Sequence, residues 1–570
     1  MQPTPRQRAI ALVVGCVLCL QFWALAQAPS GYRIAFLPPY GAFTPGELSL
    51  AIGLMLFLFP GATLIGLAAG PWISKAVRAV LESVRRASRV EIVCGLALAY
   101  AAFVTLARLG NDFILGGFPI TDDEYANQFG GRILAAGHVM LPMQGVLKVI
   151  PKLFLFSHDN QIGSMDWIGP QAAWAVAEKS GLGNFLFAFF AAAPVPCVAY
   201  ICARRLGASF GLAGLAVIAA SPMFLLLSIT THTHVLSRAF LALGMVAYAV
   251  IDGPARKPWH GLVLGFALAL GFCCRPPEIV MLSFPLLVGL VIRAVKGERT
   301  DKSVLGFVVL GAVLPLVAFC LHSRAMTGNA FFPARFSSES FVSGVVHGGP
   351  WNRFGANVTY NSLMLAIGFL GPLGVILVAV GASFDAFTKQ LVLGVVALLA
   401  LGFFHDDHGI HIVGPIHYSE CVVPLAIVAV HGVQRTVVVV KSGSLVVGPL
   451  AGALTLGVLP FSLVHMNALH NQARVQEVVR EFIASSIERP EATKSIVLVP
   501  PFNRVWRAVP ELARVGTWVH EWQRPRPDLQ DETLFVMDAE GSAEIAATQF
   551  PERAIYRFVL SPTVAISRIK

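Results

Sequence analysis

Thr121-Asp122-Asp123-Glu124-Tyr125 is the stretch on which the reading of this chain turns. It sets three adjacent carboxylates just beyond an apolar run long enough to cross a bilayer, where such groups are costly unless solvated, paired or used. The residues that follow, Ala126 to Gly137, continue a helical pattern, with Tyr125, Phe129, Ile133 and Ala136 on one face. The expectation is a short helix lying along the membrane surface, its acids at the N-terminus, inside a polar loop covering residues 110–182.

Outside that loop the chain is built mostly from apolar runs. Of 570 residues, 56% are hydrophobic and only 13% charged, which is the composition of a polytopic membrane protein and excludes an ordinary soluble enzyme. The net charge of +10 does not point to nucleic acid, because the cations cluster in short loops between apolar runs, where they act as a topology signal. The nine cysteines lie in or at the ends of apolar runs without paired spacing, so they read as small core residues rather than a disulfide framework or zinc site.

The loop charges order the topology. Arg6 and Arg8 precede a run at 9–28, read as a retained span in preference to a cleaved signal because its apolar core exceeds a usual signal core. A second run ends before Lys75, Arg78, Arg85, Arg86 and Arg89, the densest basic cluster, which is expected inside. The third run then delivers Asp122-Asp123-Glu124 to the outer side. Continuing the alternation puts Arg204/Arg205, Arg256/Lys257, Arg293 to Lys302, Lys389 and Arg435/Lys441 inside, and gives about 13 spans in all. The expected fold is therefore an all-α membrane bundle over residues 1–466. From 467 hydropathy drops, and residues 467–570 read as a small soluble α/β domain on the outer face, with a helix at 474–487 and strands at 495–499, 534–537 and 555–560.

The outward loops hold the unusual polar residues. For Asp122, Asp123 and Glu124 two readings stay open: a solvated helix cap, or a general base with a neighbour that binds a divalent cation. Three acids exceed what a cap needs. His405-Asp406-Asp407-His408, with His411, His417, Tyr418 and Glu420 nearby, reads either as a hydrated loop or as ligands for zinc or manganese, in a spacing that matches no specific motif. Arg275, where Pro276-Pro277 ends a span, either snorkels to lipid headgroups or joins Arg335, Arg353 and His234 as cations for an anionic lipid group.

Taken together, these residues resemble the GT-C class of polytopic glycosyltransferases, lipid-phosphate-sugar-dependent enzymes that include the protein mannosyltransferases and the aminoarabinose transferases. The resemblance rests on Asp123-Glu124-Tyr125 to Gly137 in the first large outer loop, then in order Cys274-Arg275-Pro276, Thr327-Gly328-Asn329-Ala330-Phe331-Phe332-Pro333 and Gly414-Pro415-Ile416-His417-Tyr418. Two departures stand out: the acidic loop follows the third span rather than the first, and Ile162 to Pro170 keeps only the Gly-Pro end of a Tyr-Pro-Pro-Gly-like turn.

The resemblance implies a polyprenyl-phosphate sugar as donor and a glycan, lipid or protein of the cell envelope as acceptor, at the outer face of the cytoplasmic membrane. It implies Asp123 as the base, with Asp122 or Glu124 orienting it or binding a cation. Arg275, His417 and Tyr418 are the implied donor-phosphate ligands, supported by Arg335 and Arg353. The metal candidates are Asp122, Glu124, His405, Asp406, Asp407 and His408, for magnesium or manganese. The competing function classes are a transporter or flippase of lipid-linked sugars and a non-catalytic envelope-assembly protein. A transporter favours polar groups at mid-bilayer and an internal repeat, whereas the acids here lie at the interface and no repeat is visible.

Overall fold

The computed structural model describes residues 3–26, 53–152, 154–254, 256–297, 299–337, 354–383, 385–404, 415–440, 444–487, 494–500, 522–559 and 565–570. Ten helices among them are long and apolar enough to cross a membrane, and two further pairs of helices make spans broken by a bend. With the shorter apolar helix Trp259–Cys274, these elements match the apolar runs of the sequence one for one. The difference from the expected count is one of length: three of the runs fold as bent or short helices, because Pro and Gly interrupt them.

One bend, of 65°, falls between Ala208–Ala220 and Pro222–Ser228. Pro222 has no N–H to donate and disfavours helical backbone at Ser221, which is extended (ψ 121°). The other falls at Gly371, whose φ of +64° favours glycine and whose hydrogen faces the Phe59 ring, 2.4 Å from where a Cβ would stand.

Burial sorts the spans into layers. Thr233–Ile251 is 78% buried and stands at the centre, whereas Arg89–Leu115 is 11% buried and turns Val90, Leu98, Leu106 and Phe113 outward, as a lipid-facing helix does. Small residues let backbones touch: a Cβ on Gly66 would stand 2.2 Å from the Gly448 carbonyl oxygen, so the helices Phe59–Arg86 and Ser444–Gly452 pack at van der Waals range along a glycine seam.

The two ends of the bundle carry different polar networks. At one end the basic loops meet: Arg205 pairs with Asp252 at 2.8 Å and Asp385 at 2.6 Å, and Arg293 also pairs with Asp252. Asp385 caps the helix Ala386–Phe403 through a reciprocal bond with Thr388. The acidic loop lies at the other end of the same central helix, because Thr233–Ile251 begins beside His232 and ends beside Asp252.

That loop is folded. The helix Asp122–Ala135 packs on the helix Ile168–Ser180, and a small antiparallel sheet joins Leu141–Pro142, Gln161–Ser164 and Leu155–His158. Tyr125, Phe129 and Ile133 are buried, as their helical spacing predicts, but so are Ala126, Asn127, Gly130 and Gly131 on the flanks. The helix is thus enclosed by protein, because a three-stranded sheet and a second helix cover it.

The last membrane span, Leu445–Leu463, runs on into the helix Leu459–Ser486, which passes residue 467 without a break and leads to a four-stranded sheet. Ser495–Val499 pairs in parallel with Thr533–Met537 and Ala554–Val559, and Ala565–Arg568 adds an antiparallel edge. The two-residue period of the central strand sends Val497 and Val499 toward Ile483, Ile487 and Trp522, and Ile496 and Leu498 toward Ala546 and Val146. Val146 belongs to the acidic loop, so the sheet docks on it; Met537 N–H donates to the Val149 carbonyl at 2.7 Å, and Val146 N–H donates to Gln549 Oε1 at 2.7 Å.

Candidate functional site

The acidic tripeptide divides its work. Thr121 caps the helix Asp122–Ala135, and Glu124, three residues on, closes a capping box. Glu124 is 1% exposed, and both its oxygens are engaged: Oε2 accepts from the N–H groups of Ile120 (2.9 Å) and Thr121 (3.1 Å), and Oε1 accepts from the N–H and hydroxyl of Thr231, each at 2.7 Å. Burial pushes the Glu124 carboxyl above its ordinary pKa, with the bonds from Thr231 and Ile120 pulling the other way. It ties the acidic loop to the turn at Thr230–His232. Asp122 is the first residue of the helix.

Asp123 is turned toward cations. Its carboxylate is 17% exposed and lies 3.7 Å from Arg335 Nη1 and 3.7 Å from His232 Nε2. Arg335 sits just after Thr327 to Pro333, a turn held by the Thr327 hydroxyl, which donates to one of the carbonyls of Ser323, Asn329 and Phe332 around it. The same Arg335 lies 3.4 Å from Asp166, a buried carboxylate that accepts from Asn127 Nδ2 at 2.7 Å. Asn127 in turn donates to the Asp123 carbonyl at 2.7 Å. Two carboxylates from different parts of the loop therefore share one guanidinium. In the sequence Asp166 reads only as part of a divergent turn; its signal is a lone acid between Met165 and Trp167 in an otherwise uncharged segment.

A second cluster adjoins the first through stacked rings. His232 stacks on His234 with centroids 5.0 Å apart, and His234 meets His417 edge-on at 5.7 Å. His234 Nδ1 lies 2.8 and 3.0 Å from the two oxygens of Glu420, which Ser237 and Ser419 also bond. Arg275 Nη2 reaches His417 Nδ1 at 3.1 Å, and Arg275 Nε donates to Glu278 at 2.9 Å. Arg275 is 6% exposed and faces protein, so it does not snorkel to lipid. Burial pulls its pKa down, and the carboxylates of Glu278 and Glu420 reverse this, leaving it above the ordinary value. Helix ends place these residues: Arg275 lies between Trp259–Cys274 and Pro276–Val295, and His417 and Glu420 lie in a short 3-10 segment before Val422–Val440.

Asp123, Arg335, His232, His234, His417 and Arg275 thus form a continuous run of contacts. Tyr418 stands apart from it, 2% exposed in the bundle core, accepting from Asn361 Nδ2 at 2.7 Å. Arg353, His405, Asp406, Asp407 and His408 lie outside the described residues. A group that offers metal-ligand geometry is formed instead by His234, Glu278 and His417, whose ligand atoms all lie within 4.8 Å of one another. Nothing in the sequence joins these three, which are dispersed over almost 200 residues and meet only through helix packing.

The C-terminal part closes over the acidic helix. Arg480 donates to the Tyr125 hydroxyl and stacks over Phe118 at 3.9 Å, and Arg132 donates to the Arg524 carbonyl while pairing with Glu178 at 3.0 Å.

A bundle of broken and unbroken membrane helices, with carboxylates and cations gathered at one end under a folded loop, is a fold this chain shares with membrane glycosyltransferases of the GT-C class. Its residues 167–322 match the family of dolichyl-phosphate-mannose-protein mannosyltransferases. The fold is similar to that of ArnT from Cupriavidus metallidurans, solved bound to undecaprenyl phosphate, with a TM-score of 0.50 at 10% identity over 83% of this chain and 95% of that one. More distant likenesses are the oligosaccharyltransferase of Archaeoglobus fulgidus solved with zinc and sulfate (TM-score 0.41, 11% identity, 80% of this chain, 68% of that one) and the mycobacterial arabinofuranosyltransferase AftD (0.38, 13%, 71% and 29%). A sequence comparison with curated proteins finds no match. The matched family region holds His234, Arg275 and Glu278, while Asp123 and His417 lie on either side of it.

Proposed function

We propose that this protein transfers a glycosyl group from a polyprenyl-phosphate sugar to a hydroxyl of an envelope acceptor, at the outer face of the cytoplasmic membrane. The observation that carries the reading is the run of contacts from Asp123 through Arg335 and the histidines to Arg275: one partly exposed carboxylate at one end, and fixed positive charge at the other. Asp123 takes the proton of the acceptor hydroxyl, whose oxygen attacks the anomeric carbon. The bond from that carbon to the phosphate oxygen breaks, and the polyprenyl phosphate departs with the electron pair as an anion stabilised by Arg275 and Arg335. Asp166 and Asn127 position Arg335 and the backbone of Asp123. The donor class is supported by the matched family and by ArnT, which was solved with undecaprenyl phosphate.

The orientation follows from charge. The loops that meet at Arg205, Asp252 and Arg293 are the basic ones, which favour the cytoplasmic side, leaving the acidic loop and the C-terminal sheet outside. The C-terminal residues 467–570 act as a soluble unit that braces the acidic helix from outside. The test is transfer of labelled sugar from a polyprenyl-phosphate donor in membranes carrying the wild-type protein or the Asp123→Asn variant, with mass analysis of envelope glycans from cells with and without the gene. Identical glycans, together with no transfer by wild-type membranes from any such donor, overturn the reading.

A further inference from the structure

Among the buried atoms of this cluster without a hydrogen-bond partner among the described residues are His234 Nε2 and Glu278 Oε2. A buried polar atom left unsatisfied costs about 1–3 kcal/mol, and more when it carries charge, so such atoms point to a ligand. The rest of each side chain is committed elsewhere. His234 Nδ1 is held by Glu420, and Glu278 Oε1 by Arg275. The two side chains converge, because His234, Glu278 and His417 each offer a ligand atom and these atoms lie within 4.8 Å of one another.

We propose that His234, Glu278 and His417 bind a divalent transition-metal ion of the zinc class. Two imidazoles and one carboxylate are the donor set of zinc sites that keep open positions, whereas magnesium demands oxygen ligands. The support behind His234 fits as well. A ligating histidine usually passes its other N–H to a carboxylate, which fixes the tautomer, and Glu420 is placed to accept from His234 Nδ1, itself bonded by Ser237 and Ser419.

The donor atoms need to close in by at most about 1.4 Å, since bonds of roughly 2.0–2.1 Å set tetrahedral ligands about 3.4 Å apart. His417, whose side chain is 32% exposed, is the one with room to move. On closing, His417 Nδ1 exchanges the hydrogen bond from Arg275 for a bond to the ion. Arg275 Nη2 is thereby released toward an anion at an open coordination position. The charges of Glu278 and Glu420 offset those of the ion and Arg275 only in part, so the site stays attractive to a phosphate oxygen. That last role rests on the transfer reading above; the binding of the ion does not.

The experiment uses tag-free, full-length protein in detergent, stripped with chelator and titrated with cobalt(II) and zinc(II). The expected result is one tightly held ion per chain, with visible cobalt absorption bands of a low-coordinate nitrogen and oxygen site that zinc bleaches. His417→Ala, at a partly exposed position, should lose at least about tenfold in affinity while the protein stays folded. Glu420→Gln should weaken binding about 10- to 100-fold by releasing His234. His138→Ala, an exposed histidine beyond the end of the acidic helix, should change nothing. Absence of saturable cobalt binding, or equal binding by wild type and His417→Ala, overturns the site. Lost metal binding with Asp123-dependent transfer intact removes only this inference, whereas metal bound without any transfer removes the functional reading and keeps the site.

Discussion

Replacing Asp123 by Asn separates chemistry from folding more cleanly here than at any other acid of the loop. The helix cap does not depend on Asp123, because Thr121 and Glu124 make both reciprocal capping bonds. What the Asp123→Asn variant gives up structurally is one negative charge near a helix N-terminus and part of the attraction of Arg335, which keeps Asp166 at 3.4 Å. A charge at such a position is worth about 0.3–1 kcal/mol, so unfolding should shift only slightly. What it gives up chemically is the basicity of the group that faces His232 and Arg335, and losing a general base costs about 10²–10⁴-fold in rate. That corresponds to roughly 3–5 kcal/mol of barrier, several times the stability change.

The assay is transfer of labelled sugar by membranes with matched amounts of each variant, alongside thermal unfolding of the purified proteins. Glu124→Gln supplies the contrast: an amide nitrogen facing either Thr231 or Thr121 N–H leaves buried donors unpaired, at a cost of about 1–3 kcal/mol, so this variant should lose stability first and transfer with it. Transfer by Asp123→Asn within about threefold of wild type, far short of the loss expected for a general base, would return Asp123 to a helix-end charge and move the base to another residue.

Arg335→Gln removes the shared partner of Asp123 and Asp166, and should lower both unfolding temperature and transfer, with Asp166 left partly uncompensated at about 1–3 kcal/mol. At the other end of the bundle, burial raises the Asp385 carboxyl, but the Thr388 N–H and Arg205 lower it further, so its pKa is depressed on folding. Its stabilisation is therefore full above the unfolded value near about pH 4 and is lost as pH falls through the folded value, and Asp385→Asn should flatten acid unfolding in that window. Gly66→Leu should prevent close packing of Phe59–Arg86 on Ser444–Gly452 and reduce the amount of folded protein recovered, whereas Gly95→Leu, with open space around it, should not. Reporters fused after Arg86 and Lys302 should read cytoplasm and those after Asp159 and Lys570 the outer side; an inside signal at Lys570 would break the alternation.

The apolar runs, their cationic flanks and the strand pattern near the C-terminus follow from local physics. A backbone in lipid must satisfy its own hydrogen bonds, so a run of apolar residues is a helix wherever it packs, and its flanking charges choose a side. Tyr125, Phe129 and Ile133 were legible as one buried face for the same reason, and so was Thr121-Asp122-Asp123-Glu124 as a helix start. The division of labour among the three acids was not legible: Glu124 is consumed by the cap because Thr231, more than 100 residues away, packs against it, and that contact exists only in the folded bundle.

His232 and Glu278 stood out only as polar residues of the outward loops and Asp166 only within a divergent turn, and none had a role, since a single acid or histidine at a helix end looks the same whether it faces lipid headgroups, solvent or another ion. Their partners are set by which helix lies next to which. Tyr418 shows the reverse case: it sits beside His417 in sequence, yet the tight turn of the 3-10 segment sends the two side chains in different directions, His417 to Arg275 and Tyr418 into the core. Local residue patterns specified the helices and their order. Tertiary packing alone decided which charges meet, because side-chain contacts across helices depend on rotation and depth, and neither is written in any local run of residues.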